Sequence, residues 1–127
     1  MTGREDVFQQ TMNQGHTAAW DQDWEKAASY YRKALQESPD HPQALTNLGL
    51  SLFELQEYEE ALRCYLKVVK ATPEDPLPIE KVAQLYERLG NLERAHQVAL
   101  HAAELYLKNT EIQKAMDNWN RVLRMNP

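Results

Sequence analysis

Histidine and cysteine, the side chains that most often bind metals or attack substrates, are few in this chain and poorly placed for either task. His96 and His101 are five residues apart. This spacing turns through about 140° of a helix, so the two imidazoles do not share a face as paired metal ligands must. Cys64 has no histidine beside it in the sequence to act as its base. We therefore predict exposed polar histidines, a passive thiol and no metal site.

Motifs for phosphate binding and for acid–base catalysis are also missing from the sequence. The four glycines are isolated from one another and cannot form a phosphate-binding loop. Two pairs of adjacent carboxylates, Glu59–Glu60 and Glu74–Asp75, have no neighbours that would hold a substrate between them. The sequence therefore predicts that the protein is not an enzyme and that it uses no cofactor.

The composition limits the class of partner. The chain has 127 residues and a formal net charge of -5, whereas nucleic acid or an anionic membrane would require a basic face. No run approaches the roughly 18 apolar residues of a membrane-spanning helix, and residues 1–10 lack the apolar core of a secretory signal. The single cysteine rules out an internal disulfide and fits a reducing compartment. These features predict a cytoplasmic protein whose main partner is neither nucleic acid nor a membrane.

A period of 34 residues organises the chain. Residues of one type recur at this spacing, namely Gly15 and Gly49; Ala27, Ala61 and Ala95; Tyr31 and Tyr65; Pro39 and Pro73. A fixed period in this range is typical of stacked supersecondary units. Such units offer a surface that holds a partner, which agrees with the missing catalytic motifs.

Each period predicts two amphipathic helices. In residues 42–75, apolar residues recur every three or four positions in two stretches, 45–55 and 58–69. Gly49 is small and allows two helix backbones to approach closely. We expect Tyr65 to fill the space toward the next helix.

Prolines mark the borders between the periods. Pro39 and Pro73 cannot continue the hydrogen-bond ladder of the helix before them. Pro42 and Pro76 follow polar residues and suit the first position of a new helix. The sequence therefore predicts helices that begin at these two residues.

The sequence resembles the tetratricopeptide repeat family, whose 34-residue repeat is a helix–turn–helix with small, aromatic and proline residues at fixed positions. The best match is residues 42–75, through Leu45, Leu48, Gly49, Leu52, Ala61, Tyr65 and Pro73. The resemblance implies an all-α fold, a right-handed α-solenoid of about three helix–turn–helix repeats followed by a C-terminal capping or half-repeat helix. Four residues depart from the family pattern, namely Thr11 and Gln14 in the first repeat and Ala99 and Leu107 in the third.

The same register divides the chain into segments. We expect a flexible segment at 1–7, repeat one at 8–41, repeat two at 42–75, repeat three at 76–109, and the capping or half-repeat helix at 110–127.

The C-terminal part breaks the period. Because Leu107 replaces the proline, the second helix of repeat three can continue, and residues 92–108 can serve two repeats at once. Thr110 followed by Gln113 is a capping-box signature, which predicts a last helix from Glu111 onward.

This last helix carries an apolar stripe of Ile112, Met116, Trp119 and Leu123. Trp119 either packs the helix on the one before it, which we favour, or anchors self-association. A regular array would begin another repeat after residue 127, so we also expect the chain to be the N-terminal piece of a longer protein.

The family resemblance places a peptide-binding groove on the first helix of each repeat. Its residues would be Met12, His16, Trp20, Thr46, Asn47, Leu50, Phe53, Glu54, Glu80, Lys81, Gln84 and Arg88. Aromatic and methionine side chains at such positions suit the apolar anchor residues of a peptide. Two alternatives to an open groove are that Leu50 and Phe53 belong to the core or are covered by the N-terminal residues.

One subfamily binds acidic C-terminal tails through a clamp of lysine and asparagine side chains. Only Asn47 and Lys81 match that clamp here, and without the remaining cations a carboxylate lacks its charge-assisted hydrogen bonds. The predicted function is therefore a non-catalytic module that binds a peptide segment of a partner protein. The alternatives are a self-associating segment of a longer solenoid and a regulatory segment of a larger multidomain protein.

Overall fold

The computed structural model describes residues 3–125, apart from the side chain of Arg4. These residues form seven helices and no strand, namely α1 (Arg4–Trp20), α2 (Trp24–Glu37), α3 (Pro42–Glu54), α4 (Tyr58–Ala71), α5 (Pro76–Arg88), α6 (Leu92–Lys108) and α7 (Ile112–Met125). The all-α helical repeat fold predicted from the sequence is confirmed. The chain divides into two compact units, the N-terminal unit Met1–Lys67 and the C-terminal unit Val68–Pro127.

The first helix begins earlier than the repeat register predicts. Residues 4–7 belong to α1, although the sequence placed them in a flexible segment before repeat one. Glu5 and Asp6 lie in the first turn of α1, where carboxylates interact favourably with the helix dipole. The spacing of apolar residues does not reveal this turn, because its residues are mostly polar. Residues 1 and 2 lie outside the described residues, and the flexibility of the segment stays a prediction.

Proline sets the start of two helices, as the sequence predicts. α3 and α5 begin at Pro42 and Pro76, where the missing N–H would have no helical partner in any case. The carboxylate of Asp75 caps α5 by accepting a hydrogen bond from the backbone N–H of Leu77 at 3.1 Å.

The turns between paired helices share one backbone geometry. The central residue of each turn is left-handed, with φ between 60° and 82°, at Gln22, Gln56, Gly90 and Thr110. In every case the central N–H donates to the carbonyl three residues back, and the next N–H donates to the carbonyl five residues back. The turn between α6 and α7 is therefore of the same kind as the turn inside each repeat.

The connections between repeats are built differently. Before α5, the N–H of Asp75 donates to the carbonyl of Thr72 at 3.1 Å, and neither residue is left-handed. The α6–α7 turn follows the other pattern, and α6 packs against both α5 and α7. This supports the expectation that residues 92–108 serve two repeats.

The predicted capping box at the start of α7 does not form. Thr110 is itself the left-handed residue of the turn, with φ of 61°, and its hydroxyl donates to the carbonyl of Asn109 at 2.6 Å. α7 begins later, at Ile112. The capping-box pattern in the sequence does not predict the contact, because Thr110 is the left-handed residue of the turn and does not serve as the N-cap.

Small residues let α5, α6 and α7 pack closely in the C-terminal unit. Ala83, Ala99 and Val122 form one buried cluster, to which each of the three helices contributes one residue. Ala99 stands where the family pattern has an aromatic side chain. The small residue leaves room for α7 to pack against α6.

The apolar stripe predicted on α7 is not the face that α7 buries. The buried residues of the helix are Ala115, Asn118 and Val122. In the stripe, Ile112, Met116 and Leu123 are 51%, 46% and 63% exposed, and Trp119 is partly buried. The α7 stripe, defined as Ile112, Met116, Trp119 and Leu123, is thus an exposed apolar surface.

Candidate functional site

A cavity of about 300 Å³ lies among the first three helices of the N-terminal unit. Its lining residues, which we call the aromatic pocket, are His16, Ala19, Trp20, Trp24, Tyr31, Asn47, Leu50 and Ser51. Four of these eight were predicted from the sequence, namely His16, Trp20, Asn47 and Leu50. The lining contains no Asp, Glu, Lys or Arg, although such residues make up 26% of the chain.

Exposed apolar side chains stand at the edge of the aromatic pocket. Trp20 is the last residue of α1 and is 88% exposed. Leu50 on α3 is 38% exposed, so the described N-terminal residues do not cover it and it does not belong to the core. An exposed large aromatic beside a concave apolar surface is typical of a contact site for another molecule.

One wall of the aromatic pocket is fixed by a hydrogen bond. The hydroxyl of Tyr31 and Nδ1 of His16 are 2.8 Å apart, and Tyr31 is only 2% exposed. Burial raises the pKa of the Tyr31 hydroxyl, which keeps the phenol protonated and neutral. Together α1 and α2 thus hold the ring of Tyr31 in one orientation.

Asn47 brings an unused hydrogen-bond donor to the aromatic pocket. Its Nδ2 atom is buried and has no hydrogen-bond partner within residues 3–125. The neighbouring hydroxyl of Ser51 donates to the backbone carbonyl of Asn47 at 3.0 Å and is already engaged. Buried donors in folded proteins are nearly always paired, so Nδ2 of Asn47 is an exception among the described residues.

The other predicted groove residues of the N-terminal unit have different surroundings. Met12 is 2% exposed, so the expectation that it lines an open groove is wrong. Thr11 beside it is also buried, at 7%, because the buried face of α1 includes both residues. The hydroxyl of Thr46 donates to the carbonyl of Pro42 in its own helix at 2.8 Å.

At the end of α3, Phe53 packs edge-on against Tyr58, with ring centroids 5.4 Å apart. Phe53 is partly buried and Glu54 is exposed, and neither is among the residues that line the aromatic pocket.

In the C-terminal unit, Glu80 belongs to an internal network and not to an open surface. Its Oε1 accepts a hydrogen bond from the hydroxyl of Tyr106 at 2.9 Å, and its Oε2 accepts from Nδ2 of Asn118 at 3.0 Å. The guanidinium of Arg121 lies 3.8 Å from the same carboxylate. Its carboxylate thus joins α5 to α6 and α7, and a role for Glu80 in a peptide groove stays a prediction.

This carboxylate network also affects titration. Burial and the hydrogen bond to Glu80 raise the pKa of the Tyr106 hydroxyl, so Tyr106 remains a donor at neutral pH. One signal for the network is present in the sequence, since the polar Asn118 lies three residues from Ala115 and four from Val122 on one helix face. Of the remaining predicted residues, Lys81 and Gln84 are partly buried and Arg88 is exposed.

Groups that could do chemistry are scarce in the described residues. Cys64 is buried, and this burial, with the nearby charge of Glu60, raises the pKa of its thiol to about 11. The thiolate is therefore a small fraction at neutral pH, which supports the predicted passive thiol. Across residues 3–125, no three acidic, histidine or cysteine side chains come together as metal ligands would. No described helix has the length and apolarity needed to cross a bilayer.

One known family matches the sequence of this chain. The model of the family described as Tetratricopeptide repeat matches residues 12–76, which is half of the chain. No curated protein matches the sequence.

Solved structures share the fold at low sequence identity. The TPR domain of Arabidopsis OM64 is 18% identical, with a TM-score of 0.82 over 96% of this chain and 98% of that one. The second TPR domain of human RPAP3, in complex with an HSP70 peptide, is 15% identical, with a TM-score of 0.81 over 98% and 99%. PcrH, in complex with the chaperone binding region of PopD, is 19% identical, with a TM-score of 0.83 over 95% and 92%. With its family model matched and its helices arranged as in these domains, the chain belongs to the tetratricopeptide repeat family.

Proposed function

We propose that the protein is a non-catalytic interaction module that binds an uncharged apolar segment of a partner protein in the aromatic pocket. The observation that carries the proposal is the pocket itself, where an indole that is 88% exposed stands beside an unpaired buried amide donor. Two solved structures with the same fold hold bound segments, namely the second TPR domain of RPAP3 with an HSP70 peptide and PcrH with the chaperone binding region of PopD.

The uncharged lining supports an apolar ligand over an acidic tail. A carboxylate taken from water into a pocket without cations would lose hydration with no ionic partner in return. A leucine, aromatic or proline side chain instead gains about 25 cal/mol for each Å² of apolar surface that it buries. The exposed faces of Trp20 and Leu50 provide such surface.

Replacing Leu50 by glutamate is expected to weaken peptide binding at least tenfold, since a charge would enter an uncharged pocket. Phage-displayed peptides would be selected on the wild-type protein, and their affinities would be measured by fluorescence anisotropy. Leu66→Glu is the matched control, because Leu66 lies in the same unit, is 41% exposed and does not line the pocket. Equal loss in both variants, or the absence of any selected peptide, would contradict the proposal.

A second candidate function is self-association, which the exposed α7 stripe favours. The stripe is self-complementary, because in two antiparallel copies of α7 Ile112 lies opposite Leu123 and Met116 lies opposite Trp119. Apolar pairs of this kind are the basis of helix–helix contacts between subunits.

Self-association predicts a mass that rises with protein concentration in sedimentation equilibrium. The rise should disappear in Leu123→Glu and persist in Leu107→Glu, in which the replaced leucine is 44% exposed on α6 and lies outside the stripe. A wild-type protein that stays monomeric at all concentrations would contradict self-association.

A further inference from the structure

We propose that the segment bound in the aromatic pocket is proline-rich and lies there as an extended polyproline II helix. The inference rests on the proposed function, since it names the ligand class of the same pocket. Three features of the described residues carry it, namely the aromatic walls, the hydrogen-bonding character of the lining and its lack of charge.

The walls of the pocket are aromatic and come from two helices. Trp20 is the last residue of α1 and Trp24 is the first residue of α2, and these two indoles provide the accessible aromatic surface, since Tyr31 is only 2% exposed. Pyrrolidine rings are apolar and rigid, and grooves lined by aromatic side chains bind them by ring-to-ring contact. A polyproline II segment is already extended before it binds, so it loses little conformational entropy on the rigid wall set by Tyr31 and His16.

The unpaired hydrogen-bonding group of the pocket is a donor. Nδ2 of Asn47 is buried with no partner, and the indole N–H of an exposed tryptophan such as Trp20 can only donate. The hydroxyl of Ser51 donates to its own helix, and that of Tyr31 pairs with His16. A proline-rich segment matches this arrangement, because proline has no N–H and presents only carbonyl acceptors.

The lining discriminates against other peptide classes. Without Lys or Arg it has no partner for an acidic tail, and without Asp or Glu it has none for a basic segment. One turn of a polyproline II helix is about 9 Å long and carries no charge, so the exposed Trp20 and Leu50 can flank it.

The test is a titration of the full chain with an acetylated nine-residue polyproline peptide, followed by NMR of the indole N–H signals. The chain has three tryptophans, and Trp119 in the C-terminal unit serves as the internal control. We expect the Trp20 and Trp24 signals to shift while that of Trp119 stays in place. A neutral leucine–serine peptide of equal length should bind at least tenfold more weakly.

Two substitutions probe the contacts. Asn47→Asp keeps the size of the side chain and removes the donor, and Trp20→Ala removes an indole that is 88% exposed. Each should weaken polyproline binding at least tenfold, with unchanged helical content by circular dichroism. Trp20→Phe keeps a ring and should recover part of the affinity.

The outcomes separate the two proposals. If the leucine–serine peptide shifts Trp20 and Trp24 and polyproline does not, the proline inference is overturned and the proposed function stands. If polyproline shifts Trp119 equally, or if both variants bind it as tightly as the wild type does, the ligand is not in this pocket and the inference is wrong. If neither peptide binds, and the phage-selected peptides bind Leu50→Glu as tightly as the wild type, both the proline inference and the proposed function are wrong.

Discussion

Replacing Glu80 by alanine is expected to destabilise the protein by about 3 kcal/mol, because it removes one partner of a largely buried ionic network. The carboxylate accepts hydrogen bonds from Tyr106 and Asn118 at 2.9 and 3.0 Å. Asn118 is 0% exposed, and without Glu80 its Nδ2 would keep only its hydrogen bond to the carbonyl of Lys114 at 2.9 Å. Arg121, whose side chain is only 18% exposed, would lose its nearest carboxylate as well.

Urea unfolding followed by circular dichroism measures this effect. Glu80→Gln retains one acceptor oxygen without the charge and should destabilise less than Glu80→Ala. Glu104→Ala is the matched control, since Glu104 is exposed on α6 in the same unit and should change stability by less than about 0.5 kcal/mol. An effect of Glu80→Ala no larger than that of Glu104→Ala would show that the network does not hold the three helices together.

Replacing Gly49 by leucine is expected to destabilise the protein by about 2 kcal/mol or more, through overpacking. A Cβ atom at Gly49 would lie 2.7 Å from Cε2 of Tyr65. Tyr65 is 2% exposed and its ring has no free space to move into. Leucine has a helix propensity about 0.8 kcal/mol more favourable than that of glycine. The measured loss of stability is therefore the cost of overpacking minus this gain.

Thermal and urea unfolding of two further variants isolate the packing effect. Gln43→Leu adds the same side chain at an exposed position of the same helix and should leave stability nearly unchanged. In a Tyr65→Val background, the further loss caused by Gly49→Leu should be smaller, because the clashing ring is gone. A melting temperature that Gly49→Leu leaves unchanged would contradict the close contact.

The repeat packing could be predicted from the sequence because it depends on local and periodic signals. Gly15 and Gly49 recur together with Tyr31 and Tyr65, and the structure joins them in pairs. A Cβ at Gly15 would lie 2.5 Å from the ring of Tyr31, as one at Gly49 would from the ring of Tyr65. The ring of Tyr65 packs on the preceding helix of its own repeat, and the expectation that it also fills space toward the next helix stays a prediction.

The candidate site was predicted only in part, since burial and long-range hydrogen bonds are not periodic. Trp20 and Leu50 lie at the aromatic pocket as the family positions indicate, but Met12 at another such position is buried. Glu80 meets Tyr106 and Asn118 across 26 and 38 residues of sequence. No spacing rule of the 34-residue repeat brings these three residues together, because α6 and α7 depart from the period.

The double role of α6 has a consequence for cooperativity. In an array of separate repeats, each one has its own stability and is coupled to its neighbours only through an interface, so the ends can fray one repeat at a time. Here α6 is the second helix of one pair and the first helix of the next, so neither pair can open without disrupting the other. The Glu80 carboxylate adds a direct link between the outer helices α5 and α7. Residues 76–125 should therefore behave as a single foldon whose three helices are protected from hydrogen exchange to a similar degree.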